Sequence, residues 1–352
     1  MPLIRGITIC LVLALTGCLG PGDIMPIDLE SGKIRQRQLI DEYFGALDKK
    51  IAATAPLTAH DGKRKSVSAA WWGFDKEDAT AILQAAFDSG AAVVLVPAMD
   101  APWFVEDLYV RSNTLLILEE GVELIAKKGS FQPTTQSLLN FMDVDNVKVW
   151  GFGAAVRMRK EEYASAPYKK GEWRHTIQIC GSNNISIAGL VLEKSGGDGI
   201  YLGRGNKRIT NTDIVLRELV LRDHYRQGIS VITATRLLIE NVQITGTSGT
   251  LPSAGIDFEP NLSDEPVTGC VLRKCLLANN AGAGFLCVFT YHNSDSAPFD
   301  IVLEECRIQN NFIASFVSGM SKTRGRLVFK KTIIYGLSII PYEPGKLETV
   351  TE

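Results

Sequence analysis

The sequence lacks most of the features that announce a function. It has no CxxC pair and no cysteine–histidine group at zinc-ligand spacing, which sets aside a zinc centre. It has almost no net charge: 37 Lys and Arg stand against 39 Asp and Glu, a formal balance of −2. A bulk electrostatic partner such as nucleic acid or an anionic membrane surface is therefore excluded, although a local basic groove is not. The leading apolar run, Gly6 to Leu15, falls well short of the roughly 20 residues that cross a bilayer. No helix signal separates the short strands of the middle region, which argues against a globular sheet with crossover helices. Of the histidines, His60 and His292 sit in stretches with no supporting pattern.

What the chain does have is repetition. Gly197–Leu202, Arg226–Val231 and Ala254–Glu259 are three copies of one short strand, and Ala283–Val288 is a weaker fourth. Their marker glycines, Gly199, Gly228, Gly255 and Gly284, are 29, 27 and 29 residues apart by subtraction. A second column, Leu190, Leu219, Val242, Cys275, Cys306 and Thr332, repeats in step with the first. Each repeat thus carries at least two strands joined by bends, which is the grammar of a parallel β-helix. The 45% hydrophobic content and 352 residues suffice for one long core. Side chains alternate along a strand, and stacked strands lie about 4.8 Å apart. Ile200, Leu202, Ile229, Val231, Ile256 and Phe258 then point inward. Asp198, Tyr201, Gln227, Ser230, Asp257 and Glu259 point outward and stack on one exterior face, where function is expected. Cys275 and Cys306 fall on inward positions of neighbouring coils and fill the core as small apolar groups. A disulfide between them is the alternative in an exported protein.

Residues 1–17 read as a signal peptide, with Arg5 ahead of the apolar run. The run ends in Leu15, Thr16, Gly17 and Cys18, which is similar to a bacterial lipobox. Cleavage before Cys18 would leave that cysteine for acylation and hold the protein in the cell envelope by its lipid. An ordinary secretory signal that happens to contain a cysteine is the plainer alternative. Residues 18–64 are expected to be a tether with a helix between Ile34 and Ala52. Residues 65–100 supply a cap: a helix with Asp75 as N-cap and a stripe of Ala79, Ile82, Leu83, Ala86 and Phe87, then a strand over Ala92–Pro97. Such an element covers the unpaired backbone at an open coil end. Residues 101–338 form the coils and 339–352 a polar tail.

The stretches 77–97 (EDATAILQAAFDSGAAVVLVP) and 111–131 (RSNTLLILEEGVELIAKKGSF) resemble the N-terminal cap and first coils of the pectate-lyase-like right-handed β-helix superfamily. MRKEEY, EWRH, SGGDGIYLG, RQGISVI and AGIDFEPN further resemble a bacterial subgroup of parallel β-helix repeat proteins. The resemblance covers about residues 70 to 340. It implies an all-β, single-stranded right-handed parallel β-helix with an N-terminal helical cap. It leaves reaction type open, since this fold hosts polygalacturonases, lyases, epimerases and non-enzymes.

Asp198 precedes its strand glycine as a catalytic aspartate does in polygalacturonases, so the resemblance implies a catalytic role. The rest of that pattern is missing: there is no Asp-Asp pair, no Gly-His-Gly and no Arg-Ile-Lys, and Gln227 stands where the histidine would be. A turn-forming Gly-Asp-Gly is the bland alternative. Asp257 and Glu259, two residues apart on one strand, can serve as acid and base; a solvated rim or a calcium site is the alternative. His224 is a candidate base, but its column (Ser195, Thr247, Asn280, Asn311) is polar in every coil, which also reads as turn hydrogen bonding. Arg226, with Arg174, is placed to clamp a sugar carboxylate, and His175, Tyr201, Tyr225 and Gln227 complete the substrate-binding set; His175 and Tyr225 are also, with His224, the candidates to remove the C5 proton in a lyase. The polar segment Met158–Glu172 reads as a loop over one face, with Tyr163, Tyr168 and Trp173 offered to sugar. Connections at 203–212, 261–268 and 290–298 would wall the groove.

These readings converge on an exported, lipid-anchored protein that cleaves or modifies a uronate-containing polysaccharide as a lyase or glycoside hydrolase. No cofactor is required, calcium being the one admitted, and the partners are the polysaccharide and, through the lipid, the membrane. The rival is a glycan-binding or structural surface protein without turnover. Cys18→Ser is expected to release the protein from the membrane fraction into the soluble fraction on sedimentation; unchanged sedimentation would remove the lipobox reading.

Overall fold

The computed structural model describes residues 27, 29–45, 49–50, 65–341 and 346–350. The signal segment, Cys18 and His60 lie outside these residues. The described strands form three parallel sheets, one of 11 strands and two of 9, and each strand pairs with its counterparts one coil before and one coil after. In the middle coils the first sheet contains Asn183–Ala188, Asn211–Arg217, Ala234–Glu240 and Val267–Arg273. The second contains Val191–Glu193, Val220–Arg222, Gln243–Thr245 and Leu276–Ala278. The third, the groove sheet, contains Ile177–Cys180, Ile200–Gly203, Gln227–Val231, Ala254–Phe258 and Ala283–Val288. Every coil therefore has three strands, one more than the two columns of the sequence reveal.

The expected register holds. Ile177, Ile200, Ile229, Ile256 and Phe285 pair in succession along the groove sheet. Ile200, Leu202, Ile229, Val231, Ile256 and Phe258 are all buried, as are Leu190, Leu219, Val242, Cys275 and Cys306; Thr332, near the end of the stack, is half-buried. Burying each large aliphatic side chain contributes on the order of 1.5–3 kcal/mol, and the coils supply them in continuous rows. Cys275 and Cys306 are free thiols inside the core, as are Cys270 and Cys287.

Bends between the sheets are made by columns of left-handed residues. Gly189, Glu218, Asn241, Lys274, Glu305 and Lys331 all have φ between 49° and 82° and each immediately precedes a member of the second inward column. Lys194, Asp223, Gly246, Asn279 and Asn310 form an equivalent column before the groove sheet. Left-handed backbone at Glu, Lys and Asp is costly for an isolated residue; here the pairing on both sides of each corner holds it.

Inside the corner before the groove sheet runs a polar ladder. The Ser195 hydroxyl meets His224 Nδ1 at 2.9 Å, the Thr247 N–H donates to Asn280 Oδ1 at 3.1 Å, and the Asn280 N–H donates to Asn311 Oδ1 at 3.0 Å. The marker glycines make room for it. A Cβ on Gly199 would sit 2.6 Å from His224 Nε2, and one on Gly255 would sit 2.9 Å from Asn280 Nδ2.

The N-terminal helices are shifted from their expected bounds. The first spans Glu30–Phe44, not Ile34–Ala52. Gln36 on it donates to Leu118 O and Phe152 O and accepts from the Phe152 N–H, fastening it to the ends of first-sheet strands. The cap helix spans Thr80–Phe87. Asp75 accepts the N–H groups of Glu77 and Asp78 in a preceding turn, and Asp78 takes up the Thr80 N–H instead. The strand that follows is Val93–Val96.

Val242 is fully buried between the apolar layers. Val242→Asp would place an unpaired carboxylate there, and a loss of several kcal/mol is expected. Chemical unfolding monitored by circular dichroism checks this, and an unchanged midpoint would contradict the register.

Candidate functional site

The outward face of the groove sheet carries Gln178, Tyr201, Ser230 and Asp257 in one paired column. Just before this column lie His175 and Asp198, joined by a hydrogen bond from the Asp198 N–H to His175 Nδ1 at 3.0 Å. Because Nδ1 accepts, the ring proton resides on Nε2. The imidazole also stacks on Tyr201, with centroids 4.7 Å apart and planes at 10°.

Arg226 joins the acids. One guanidinium nitrogen lies 3.5 Å from Asp198 Oδ2 and the other 3.6 Å from Glu259 Oε2. Gln227 is held in one orientation: its Oε1 accepts the Ala254 N–H at 2.9 Å, so its Nε2 donates to Asp257 Oδ2 at 2.8 Å. Asp198 and Asp257 are buried at 0% and 1% exposure. Neither oxygen of Asp198 has a hydrogen-bond partner within the chain, nor do Asp257 Oδ1 and Ser230 Oγ.

These surroundings set the acidities. Burial pushes the Asp198 carboxyl up to about 7, with Arg226 pulling it back; the Ser230 hydroxyl also lowers it, although its geometry falls short of a hydrogen bond. Asp257 is raised well above the usual carboxylate range by burial and then by the neighbouring Glu259 charge. Burial, with Arg226 second, drops His175 to about 3. Burial opposes the charge on Arg226, but Asp198, Asp257, Glu172 and Glu259 together offset it and hold its pKa above the ordinary value.

Both sides of the groove are built from loops. On one side Arg204 of the 203–210 segment grips Asp264 with both guanidinium nitrogens at 3.0 to 3.2 Å, and the His292 ring meets Glu265 O at 2.9 Å. The three connections expected to form a wall are thereby tied to one another. On the other side, Thr250 donates to Glu172 at 3.4 Å, joining the 246–253 turn to the loop before the groove sheet. The Tyr225 ring packs on Gly249 of that turn.

Several candidates are placed elsewhere than the sequence suggests. Arg174 is fully buried, its guanidinium donating to Phe131 O, Gln132 O and Lys169 O while it rests on Tyr163 and Tyr168. It fastens the loop from below and cannot clamp a substrate carboxylate. Tyr163 and Tyr168 are buried with it, which leaves Trp173 as the exposed aromatic of that loop. The loop itself contains a short helix, Lys160–Tyr163. His224 belongs to the interior ladder. Ser195 Oγ donates to Gly197 O, so His224 Nδ1 carries the proton, and burial lowers its pKa to about 3. The structure removes His224 from the candidate bases. Asp198, Arg226, Asp257 and Glu259 are brought together, with His175, Tyr201 and Gln227 around them. Ser230 and Glu172 join them: Ser230 through its place in the outward column, Glu172 from a loop with no periodic signal. No three His, Cys, Asp or Glu side chains among the described residues are arranged to hold a metal ion. Two clefts, one of about 190 Å³ beside Trp103 and one of about 360 Å³ beside Phe104, lie on the early coils, away from these acids.

Residues 169–336 match the family model described as the right handed beta helix region. The chain has the right-handed parallel β-helix fold. A polygalacturonase from Erwinia carotovora ssp. carotovora is similar in structure, with a TM-score of 0.51, 13% identity, and 79% of this chain and 78% of that chain covered. A 1,3-α-1,4-β-D-galactose-4-sulfate-3,6-anhydro-D-galactose-2-sulfate 4 galactohydrolase gives 0.54 at 12% identity, covering 73% of this chain and 67% of that one. No curated protein matches the sequence.

The raised pKa of Asp198 makes a stability prediction. Unfolded, its carboxyl titrates near 3.8; folded, near 7. The folded state therefore holds a proton through that interval which the unfolded state releases, and stability falls as pH rises through it before levelling off. Asp198→Asn removes this dependence. The variant is expected to match wild type near pH 4 and to exceed it by roughly 1–4 kcal/mol at pH 8 in urea unfolding. A variant equally destabilised at both pH values would contradict the assignment.

Proposed function

We propose that this protein is an exported, lipid-anchored enzyme that hydrolyses a glycosidic bond in a polysaccharide, with Asp198 as proton donor and Glu259, assisted by Asp257, as base. The observation that carries this reading is Asp198: a buried carboxyl with no hydrogen bond inside the chain, in ion-pair contact with Arg226 at 3.5 Å, and protonated up to about neutral pH. Such a group can deliver a proton where an ordinary aspartate is already ionised. In the step, the Asp198 proton goes to the leaving oxygen as the C–O bond breaks. Water adds to the anomeric carbon and gives its proton to the carboxylate side of the cluster.

A lyase reading finds less support. It needs a base to take the C5 proton. His175 Nδ1 is occupied by the Asp198 N–H, His224 lies in the ladder, and the Tyr225 ring packs on Gly249 of the side wall. The rival of glycan binding without turnover is favoured by one observation, the burial of Asp198 and Asp257, since a reacting group must meet its substrate. Of the four charged groups Asp198, Arg226, Asp257 and Glu259, Arg226 and Glu259 reach solvent, and substrate entering past them would have to displace Arg226 from Asp198.

Asp198→Asn and Asp257→Asn are each expected to fold and to lose release of reducing ends by at least about a hundredfold. The wild-type rate should fall as pH rises through about 7, where Asp198 loses its proton. A broad panel of polysaccharides, assayed for reducing ends and for absorbance of unsaturated ends, checks both. Binding without either signal would establish the non-catalytic reading, and unsaturated ends would establish a lyase.

A further inference from the structure

The groove cluster is rich in acceptors and poor in free cations. Asp198, Asp257, Glu259 and Glu172 are gathered about one arginine, and that arginine already faces two of them. Arg204 is committed to Asp264, and Arg174 is buried under the loop on backbone carbonyls. A uronate needs the opposite arrangement, a fork of donors left free for its carboxylate. The Ser230 hydroxyl, close enough to Asp198 to lower its pKa, is 1% exposed, makes no hydrogen bond within the chain, and sits in the outward column directly beside Asp257. A buried hydroxyl of this kind requires a partner; like Oδ1 of Asp257 it can accept from a sugar hydroxyl, while the Asp198 proton can be donated to a sugar oxygen. Trp173, two residues before His175 in sequence, is 44% exposed, and an exposed indole can pack on the apolar face of a sugar.

We infer that the sugar unit held against Asp198, Ser230 and Asp257 is an uncharged, hydroxyl-rich hexose and not a uronate. This rests on the reading of the cluster as a glycan site and replaces the uronate expected from sequence. A ligand hydroxyl donates where the cluster has acceptors. A ligand carboxylate would face Glu259 and Glu172 and would compete with Glu259, 3.6 Å away, for Arg226, and like charges brought together in a partly desolvated groove repel strongly.

Matched polymers test this: polygalacturonate, polyglucuronate and polymannuronate, each beside its carboxyl-reduced counterpart of the same linkage. The full chain is expected to process and bind the reduced member of its preferred pair at least about tenfold better than the carboxylated member, measured as kcat/KM and by calorimetry. Glu259→Gln, read by binding, should narrow that preference, because it removes one negative charge and releases one side of Arg226. A carboxylated polymer preferred by wild type would overturn this inference and leave the hydrolase reading standing. A preference unmoved by Glu259→Gln would also count against it. If neither member of any pair is bound or processed, the glycan reading itself falls and this inference with it.

Discussion

Everything in this molecule depends on stacking in register. Each coil lays three strands on the coil beneath, so a side chain is fixed in space by its column. The interior columns are apolar and close-packed, and the backbone donors and acceptors are used between coils. The corners must repeat at the same place in every turn. Left-handed residues do this before the second sheet and again before the groove sheet. The marker glycines belong to the same constraint: a Cβ on Gly199 or Gly255 would strike the polar ladder that lines the corner. His224 is therefore part of what holds the coil spacing, and its imidazole is spent on structure.

The exterior face is freed from that duty, and its groups are arranged against their own stability. Asp198 and Asp257 are carboxyls removed from water with fewer hydrogen bonds than they can make. A fold selected for stability alone would have little reason to keep them there. Arg226 offsets part of the cost by standing between Asp198 and Glu259, and Gln227 fixes Asp257 through an amide whose orientation the Ala254 N–H dictates. Strained electrostatics of this kind, on a groove walled by loops that tie to one another, is the physical basis for placing function here.

Similarity in structure supplies the fold and stops there. The polygalacturonase shares the coil at 13% identity, whereas the histidine and basic motifs of such enzymes are missing from this sequence. One fold carries different chemistries because the outward residues can change while the inward rows persist. The acids and the single engaged arginine of this groove are accordingly read on their own terms.

Periodicity alone determined the coil, its inward rows and the outward face, because a repeat of Ile, Leu and Val at fixed spacing has one good way to be buried. It placed Asp198, Tyr201, Gln227, Asp257 and Glu259 correctly on that face. It did not reveal the third strand of each coil, since left-handed corners at Glu218, Lys274 and Glu305 use residue types with no turn signature. Nor could it separate Arg174 from Arg226 or His175 from His224. Each pair looks alike in one dimension. Arg174 is taken by carbonyls of the loop that folds over it, and His224 turns inward to Ser195, whereas Arg226 and His175 meet Asp198. Those choices depend on contacts between segments tens of residues apart in sequence, which exist only once the coils have stacked.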